Sequence, residues 1–307
     1  MSLRAALAER RFAVTAEIGP PRGANAEAIR EAARVLRDWV DAANVTDNQG
    51  AMVRMSSWAG SIIAMQEGVE PVMQLVCRDR NRMALQSDLI GAAALEIPNV
   101  LLLTGDHPRF GDHPDARPVF DLDSVQLVWM ARKMRDEGRL LSGLELKPPP
   151  RWMIGAVENP FAPPLRFRAE RLGKKVAAGA EFIQTQYIFD VPQFEAWMTA
   201  VRALGLTERC AVLAGVGPIR SARALERMSQ IPGIVIPEQV RKRLQSVPGD
   251  RFLAESIVMC AETIRAVREI PGVAGVHIMA FGLEEAVAEI AERAGLGRRP
   301  GTYTHAR

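Results

Sequence analysis

The chain has 307 residues, of which 48% are hydrophobic and 24% charged, with a formal net charge of +3. This composition is ordinary for a globular protein of one large domain or two small ones. Acidic and basic residues are interspersed, which argues against a nucleic-acid surface and only mildly favours anionic ligands. We expect no signal peptide, because the N-terminal apolar stretch is too short. We also expect no transmembrane helix, because no run of about 18 apolar residues occurs.

The chain has three cysteines, Cys77, Cys210 and Cys260, which are far apart and odd in number. This pattern is typical of a reducing compartment and does not indicate a disulfide framework. No histidine, cysteine or acidic cluster has the spacing of a zinc site, and only four histidines are present. We therefore expect a cytoplasmic protein that holds no catalytic metal through its own side chains.

Short apolar runs alternate with amphipathic stretches along the whole chain, which predicts alternating strands and helices. The predicted strands are 12–18, 40–45, 71–76, 100–103, a split fifth region at 140–147 and 152–157, 182–187, 210–216 and 273–279. The predicted helices are 3–11, a stretch of about 14 residues after Asn25, 56–66, 81–94, 123–137, 165–177, 191–204, 221–230, 237–245, 251–268 and 283–294.

Strands that each lead into a helix imply a parallel sheet with right-handed crossovers. Eight such units fit a (β/α)8 TIM barrel, and we expect one domain over residues 1–307 with a loose tail at 297–307. A doubly wound open sheet is the alternative. No G-x-G-x-x-G motif follows any predicted strand, so a Rossmann-type site has no support.

Several predicted strands end in polar or small residues. The fourth strand breaks into a turn that contains Asp106, and a carboxylate at the C-terminal end of a barrel strand is where such enzymes place their chemistry. The alternative is that this carboxylate only orders a tight turn. In a barrel the strand ends converge, so Glu17, Thr46, Asp106, Gln186 and residues 215–218 are expected around one cavity.

These side chains offer carboxylates and amides. The chain has no Ser-His-Asp order and no catalytic cysteine signature. No lysine lies in an obvious strand interior, with Lys147 the nearest, which disfavours a Schiff-base aldolase. Carboxylates and neutral amides suit proton transfer to a heterocycle, with an organic cofactor carrying the harder chemistry.

Four segments resemble the methylenetetrahydrofolate reductase family: AEIGPPR at 16–22, LTGD at 103–106, AGAEFIQTQYIFDV at 178–191 and AGVGPI at 214–219. The resemblance covers about residues 12–296, and its most specific motifs are E-x-x-PPR and GA-x-x-x-x-TQ-x-x-FD. It implies a (β/α)8 barrel that carries FAD. Such enzymes reduce 5,10-methylenetetrahydrofolate to 5-methyltetrahydrofolate, and the reductant and the folate exchange at one flavin face.

The resemblance implies roles for residues at matching positions. Glu17 matches a general acid that acts when the methylene bridge opens, and an ion pair with Arg22 is the alternative. Asp106 matches an aspartate near flavin and folate, where its charge would stabilise a cationic iminium. Gln186 matches a glutamine that contacts the pterin, and a core amide satisfied by backbone is the alternative.

The resemblance also implies a cofactor set. Thr46 matches a threonine near the flavin ring, and Gly105 and Asp106 belong to the LTGD motif. Lys175 matches a lysine at the flavin diphosphate, with a solvated helix lysine as the alternative. Gln74 and Asn159 stand where the family often has histidines, and both retain hydrogen-bonding capacity toward FAD.

Other positions depart from the family pattern. Arg168 replaces an aspartate, Ala224 replaces a glutamine that contacts substrate, and Met279 and Leu283 replace a tyrosine and a folate-gripping arginine. The segment PPPRWMIGAVENPF resembles a branch of the family in which some members work with separate partner subunits.

The resemblance therefore implies a reduced folate as substrate and either NAD(P)H or a partner subunit as the electron source, and we also expect a homo-oligomer. Two alternatives stay open. One is a barrel subunit that is inactive with NAD(P)H alone, and the other is a pterin-dependent methyltransferase or lyase.

Overall fold

The computed structural model describes residues 2–231, 233–299 and 303. Within them the strands are β1 (Ala13–Ile18), β2 (Ala42–Val45), β3 (Pro71–Val76), β4 (Asn99–Leu103), β5 (Met153–Glu158), β6 (Phe182–Tyr187), β7 (Ala211–Val216) and β8 (Val273–Ile278). Each strand pairs in parallel with the next, and β8 pairs in parallel with β1, which closes the barrel. The predicted (β/α)8 barrel is confirmed, and the open sheet is excluded.

Helices alternate with the strands along the chain. They are α1 (Leu3–Ala8), α2 (Ala26–Leu36), α3 (Ser57–Gln66), α4 (Arg82–Ala94), α5 (Ser124–Arg132), α6 (Arg168–Ala178), α7 (Val191–Ala203), α8 (Ala222–Ser229), α9 (Glu238–Gln245), α10 (Phe252–Arg268) and α11 (Ala286–Arg293). Asn25 caps α2 by accepting a hydrogen bond from Glu27 N, as its position predicts. None of the helices in the described ranges has the length and apolarity that crossing a membrane requires.

The lower half of the barrel interior is apolar and is closed by α1. Leu3 and Ala6 of this helix are fully buried and pack in one cluster with Leu101, Phe182 and Leu213 from the strands. A separate, larger cluster fills the space between the strands and the outer helices. The apolar floor leaves the opposite end of the barrel, where the strands end, as the place for polar side chains.

The fifth strand differs from its prediction. Only Met153–Glu158 is a strand, and residues 140–147, predicted as its first half, form a turn-rich segment. Gly143 has a φ of 90°, a left-handed conformation that reverses the chain there. Three successive prolines at 148–150 then remove backbone donors that a strand ladder would need.

The beginning of the predicted loose tail packs on the barrel. Arg299 N donates to Asp38 O at 2.7 Å, and Tyr303 N donates to Gly68 O at 2.9 Å. Both acceptors precede strands, at the end of the barrel that α1 closes. The other residues of the predicted tail beyond Arg299, 300–302 and 304–307, lie outside the described residues.

Candidate active site

The parallel strands bring their C-terminal ends to one rim of the barrel. Glu17 lies near the end of β1, Thr46 follows β2, Asp106 follows β4 and Gln186 lies near the end of β6. The expected convergence of these four residues follows directly from barrel closure.

Glu17 is buried, with 6% of its surface exposed. Its Oε1 lies 3.5 Å from His277 Nε2, and its Oε2 accepts a hydrogen bond from Gln49 Nε2 at 3.4 Å. Arg22, the alternative partner expected from the sequence, contacts Met52 Sδ instead, at 2.8 Å. Glu17 thus faces an imidazole and an amide rather than Arg22.

A polar network fills the barrel interior beside Glu17. Asn44 and Gln184 exchange two amide hydrogen bonds, of 2.6 and 3.0 Å. Gln184 Nε2 also donates to Thr15 Oγ1 at 3.2 Å, and Thr15 Oγ1 lies 2.9 Å from His277 Nδ1. All four side chains are buried. The network therefore satisfies polar groups that would otherwise destabilise the interior, and it fixes their orientation.

His277, Thr15 and Asn44 belong to this site but are not among the residues predicted from the sequence. Each is a polar residue in a strand that is otherwise mostly apolar. That contrast is the signal that could have found them, because a buried polar side chain persists only where a partner satisfies it.

Gln186 lies where the pairing of β6 with β7 becomes irregular. The register shifts between Gln184 and Tyr187, which is the signature of a bulge, and bulges re-aim side chains beside active sites. Gln186 Oε1 accepts a hydrogen bond from Tyr187 N at 3.0 Å, whereas its Nε2 donates to none of the described residues. The side chain is only partly buried, and backbone satisfies its oxygen but not its nitrogen, so the alternative of a core amide satisfied by backbone holds only for Oε1.

Three of the predicted ligand-binding side chains have no partner among the described residues. Thr46 is fully buried and its Oγ1 makes no hydrogen bond. The amide of Gln74 is buried and the carboxylate of Asp106 is exposed, and neither is hydrogen-bonded. A buried hydroxyl without a partner costs about 1–3 kcal/mol, so the Thr46 hydroxyl suits a ligand that offers it a hydrogen bond. The other two side chains are free to bond the same ligand.

The turn before Asp106 depends on Gly105. Its φ is +87°, and a Cβ there would lie 3.0 Å from Val76 Cβ and 3.2 Å from Arg78 Cβ. The main-chain oxygen of Asp106 accepts a hydrogen bond from Arg78 at 3.2 Å. The backbone is therefore held by Arg78, and the Asp106 carboxylate does not order the turn.

Asn159 and Lys175 are engaged within the protein. Asn159 Oδ1 accepts a hydrogen bond from Phe161 N at 3.0 Å. Lys175 Nζ donates to Glu158 Oε2 at 2.9 Å and to the Val157 carbonyl. The lysine is buried, and desolvation lowers its pKa although Glu158 opposes that change. The alternative of a solvated helix lysine is therefore wrong.

Two further cations surround Glu158. Arg168 and Arg171 approach its Oε1 at 3.6 and 3.8 Å, and Lys175 holds its Oε2. We call these three basic residues and Glu158 the cationic cluster. One carboxylate faces three cations there, so the cluster carries net positive charge at the end of β5, which favours an anionic group.

An aromatic ring and an arginine lie beside the end of β1. The ring of Phe281 covers Gly19 so closely that a Cβ on Gly19 would lie 1.9 Å from it. The guanidinium of Arg54 lies 4.9 Å from the ring centroid and donates to Pro20 O at 3.0 Å. Its Nε is buried and has no hydrogen-bond partner among the residues that the structure describes, and burial together with nearby Arg22 lowers the Arg54 pKa.

The described residues contain neither a reactive cysteine nor a cluster of side chains that could bind a metal ion. Cys77, Cys210 and Cys260 are free and buried, and burial raises the pKa of Cys77 and of Cys260 to about 12. No group of three or more His, Cys, Asp or Glu in that part of the chain could hold a metal ion. The rim offers carboxylates, amides, an imidazole and cations, which suit proton transfer and the binding of an anionic heterocyclic ligand.

Comparison with known proteins shows the family to which the chain belongs. A family model described as methylenetetrahydrofolate reductase matches residues 2–295. Methylenetetrahydrofolate reductase 2 of Saccharomyces cerevisiae is 27% identical over 264 residues, covering 81% of this chain and 41% of that protein. Methylenetetrahydrofolate reductase 1 of Schizosaccharomyces pombe is 26% identical over 246 residues, covering 77% and 37%. The chain thus spans about two fifths of the length of these relatives.

Solved structures share the fold. A protein from Clostridium thermocellum, described as uncharacterized and as binding two copies of 5-methyl-5,6,7,8-tetrahydrofolic acid, aligns with a TM-score of 0.69 at 14% identity. The alignment covers 96% of this chain and 99% of that one. Oxaloacetate acetylhydrolase aligns with a TM-score of 0.52 at 12% identity, over 95% and 83% of the two chains. At these identities the likeness shows the barrel fold alone.

Proposed function

Because the chain belongs to the methylenetetrahydrofolate reductase family, we propose that it reduces 5,10-methylenetetrahydrofolate to 5-methyltetrahydrofolate with electrons from a bound flavin. The relatives that carry this enzyme name support the reaction. The barrel neighbour described as binding 5-methyltetrahydrofolic acid supports the substrate class. The observation that carries the proposal is Glu17, a buried carboxyl at the rim whose neighbours are a histidine and an amide.

Opening the methylene bridge requires a proton on a ring nitrogen of the folate. Glu17 is the group we assign to this step, because a general acid must lie within hydrogen-bond reach of the nitrogen that it protonates. Asp106 at the same rim has a carboxylate without a partner among the described residues, and its negative charge would stabilise the cationic iminium. Gln186 Nε2 is available to donate to an edge of the pterin.

We propose FAD as the cofactor, since the side chains present fit one. The Thr46 hydroxyl and the Gln74 amide, which have no partner among the described residues, offer hydrogen bonds to a heterocyclic ring. Asn159 Oδ1 is used in its own turn, and its amide nitrogen makes no hydrogen bond with the described residues. A flavin bound there would supply the hydride chemistry that amino-acid side chains lack.

The cationic cluster is the proposed position for the cofactor diphosphate. Arg171, 3.8 Å from Glu158 and 42% exposed, is the cation that is freer to turn toward a phosphate. Arg168, at 3.6 Å, is held by the Ala162 and Pro163 carbonyls and would act in place. Lys175 would act from within the cluster, because its ammonium group already binds Glu158 and the Val157 carbonyl. Phosphate binding by such a cluster would be electrostatic and would weaken as salt is added.

We propose NAD(P)H as the reductant. The second candidate for the electron source is a partner subunit that delivers the electron pair to the same reaction. A homo-oligomer and a cytoplasmic location stay predictions. The reaction can be tested apart from the identity of the reductant. FAD-loaded protein is reduced with dithionite under nitrogen and mixed with methylenetetrahydrofolate, and the products are identified by mass spectrometry. Formation of 5-methyltetrahydrofolate by wild type but not by Glu17→Gln is expected, and an unchanged folate would contradict the proposal.

A further inference from the structure

We infer that His277 is a positioning residue for Glu17 and that, together with Thr15, it places the reacting proton on Glu17 Oε2. The role of His277 in catalysis rests on the proposed function. The side-chain geometry from which that role is argued is independent of the proposed function. His277 lies on β8, next to β1 in the closed barrel, and is 3% exposed.

Each ring nitrogen of His277 has one partner. Nδ1 lies 2.9 Å from Thr15 Oγ1, and Nε2 lies 3.5 Å from Glu17 Oε1. The imidazole thus joins the Thr15 hydroxyl to the carboxyl group. The hydrogen bond at Nδ1 fixes the orientation of the ring, and the protonation of one nitrogen is set by what the other contacts.

The hydroxyl of Thr15 decides the tautomer. Its oxygen accepts an N–H from Gln184 Nε2 at 3.2 Å, so its own hydrogen is free to be donated. The available acceptors are His277 Nδ1 at 2.9 Å and the Val276 carbonyl at 3.4 Å. Donation to the nearer atom leaves Nδ1 as an acceptor and places the imidazole hydrogen on Nε2, toward Glu17.

This tautomer distinguishes the two oxygens of Glu17. Oε1 is the oxygen that faces His277 Nε2, across 3.5 Å, so the proton of the acid form is placed on Oε2. Oε2 is also the oxygen beside Gln49, in the loop that follows β2 at the rim. When the Oε2–H bond breaks and an N–H bond forms on the substrate, His277 and Gln49 both donate to the carboxylate that remains. His277 keeps its own proton throughout.

Few other ionisable groups face the imidazole. On β1 the group is Glu17, and β7 (Ala211–Val216) carries none. Tyr187 on β6 donates its hydroxyl to the Met279 carbonyl, and burial raises its pKa, so it stays neutral. Arg54 stacks on the Phe281 ring and donates to the Pro20 carbonyl, and it makes no hydrogen bond with His277. The orientation of the imidazole is therefore attributed to Thr15 and Glu17, the two groups that its nitrogens face.

The tautomer can be tested in the protein without cofactor or folate. The chain has four histidines, so ¹⁵N NMR of the imidazole rings is tractable, and His277→Asn identifies the His277 signals. The expected result is a single tautomer of the neutral ring, protonated at Nε2, and loss of that single tautomer in Thr15→Val. A ring protonated at Nδ1 in the wild type would overturn the inference.

The catalytic consequence is read from the rate at which methylenetetrahydrofolate reoxidises the reduced, FAD-loaded protein. His277→Asn is expected to slow this step by about 10- to 100-fold and to change its pH profile, because the carboxyl loses its fixed orientation. His277→Gln, which keeps a donor near the Nε2 position, should restore most of the rate. Equal rates and pH profiles in wild type and both variants would overturn the inference. If wild type itself shows no folate-dependent reoxidation, the proposed function fails, and the NMR experiment still decides the tautomer.

Discussion

Lys175 and Glu158 form a buried ion pair that joins α6 to the end of β5. The lysine Nζ lies 2.9 Å from Glu158 Oε2, and the side chains are 4% and 1% exposed. The same ammonium group also donates to the main chain of β5 at Val157. The pair therefore belongs to the framework of the barrel as well as to the proposed diphosphate site.

Removing the lysine tests this structural role. Lys175→Met leaves Glu158 buried without its nearest cation, and breaking a buried pair in this way costs about 3–5 kcal/mol. Arg168 and Arg171 remain near the carboxylate, so we expect the lower end of that range for the free energy of unfolding, measured with urea on FAD-free protein. The exposed neighbour Lys174 is the control, and Lys174→Met should change stability by less than about 1 kcal/mol. Equal effects of the two substitutions would contradict the buried pair.

Glu70 should make stability depend on pH. Its Oε1 accepts hydrogen bonds from Leu3 N and Asn99 Nδ2 at 2.9 and 2.8 Å, and burial raises its pKa from 4.5 to about 7. The folded state therefore binds a proton more tightly than the unfolded state. The stability linked to this proton is present below about pH 4.5 and is lost as pH rises to about 7.

Glu70→Gln should remove this dependence. We expect the free energy of unfolding of wild type, relative to the variant, to fall by up to about 3 kcal/mol across that pH interval. The readout is the difference between the two curves, because other carboxyls contribute slopes of opposite sign. Glu145→Gln, at an exposed position, serves as the control and should give a flat difference. A flat difference for Glu70→Gln as well would show that the buried carboxyl does not bind the proton.

Thr46 should affect ligand binding and stability in opposite directions. Its hydroxyl is buried and has no partner in the described part of the chain, so Thr46→Val removes an unsatisfied group and should leave FAD-free protein as stable or up to about 1 kcal/mol more stable. The same change should weaken FAD binding by about fivefold, the value of one net hydrogen bond. Thr46→Ser, which keeps the hydroxyl, should bind FAD like wild type. Equal FAD affinity in Thr46→Val would exclude this hydroxyl from the cofactor site.

Glu17→Gln should separate the two half-reactions. The amide has the shape of the carboxyl but is not an acid, so reoxidation of the reduced flavin by methylenetetrahydrofolate should slow by about 10²- to 10⁴-fold. Reduction of the flavin by NAD(P)H should be retained, because that step needs no proton from Glu17. Rapid-mixing measurements of flavin absorbance give both rates. A loss of both half-reactions to the same extent would assign Glu17 a binding role instead.

Much of the fold could be predicted from the local pattern of apolar runs and turn residues. The predicted limits of β3 and β6 coincide with the observed strands, because short apolar runs between turn residues define them well. The predicted strand at 140–147 was wrong because its alternation of apolar and polar residues competes with turn residues, and Gly143 takes the turn.

The site could be predicted only in part. The position of Glu17, Thr46 and Asp106 at one rim was predictable because strand ends converge in any closed parallel barrel. The pairing of Glu17 with His277 was not, because it joins residues at opposite ends of the chain and depends on β8 closing onto β1. The burial of Lys175 was also missed, since a helix lysine shows no sign in sequence of the carboxylate that packs on it.

The most direct test of the proposed reaction is the visible spectrum of FAD-loaded protein under anaerobic conditions. NADH or NADPH, or dithionite if neither reacts, is added first, and methylenetetrahydrofolate second. We predict that the flavin band near ~450 nm disappears on reduction and returns when the folate is added. A reduced flavin that persists in excess methylenetetrahydrofolate would contradict the central claim, whatever the electron source.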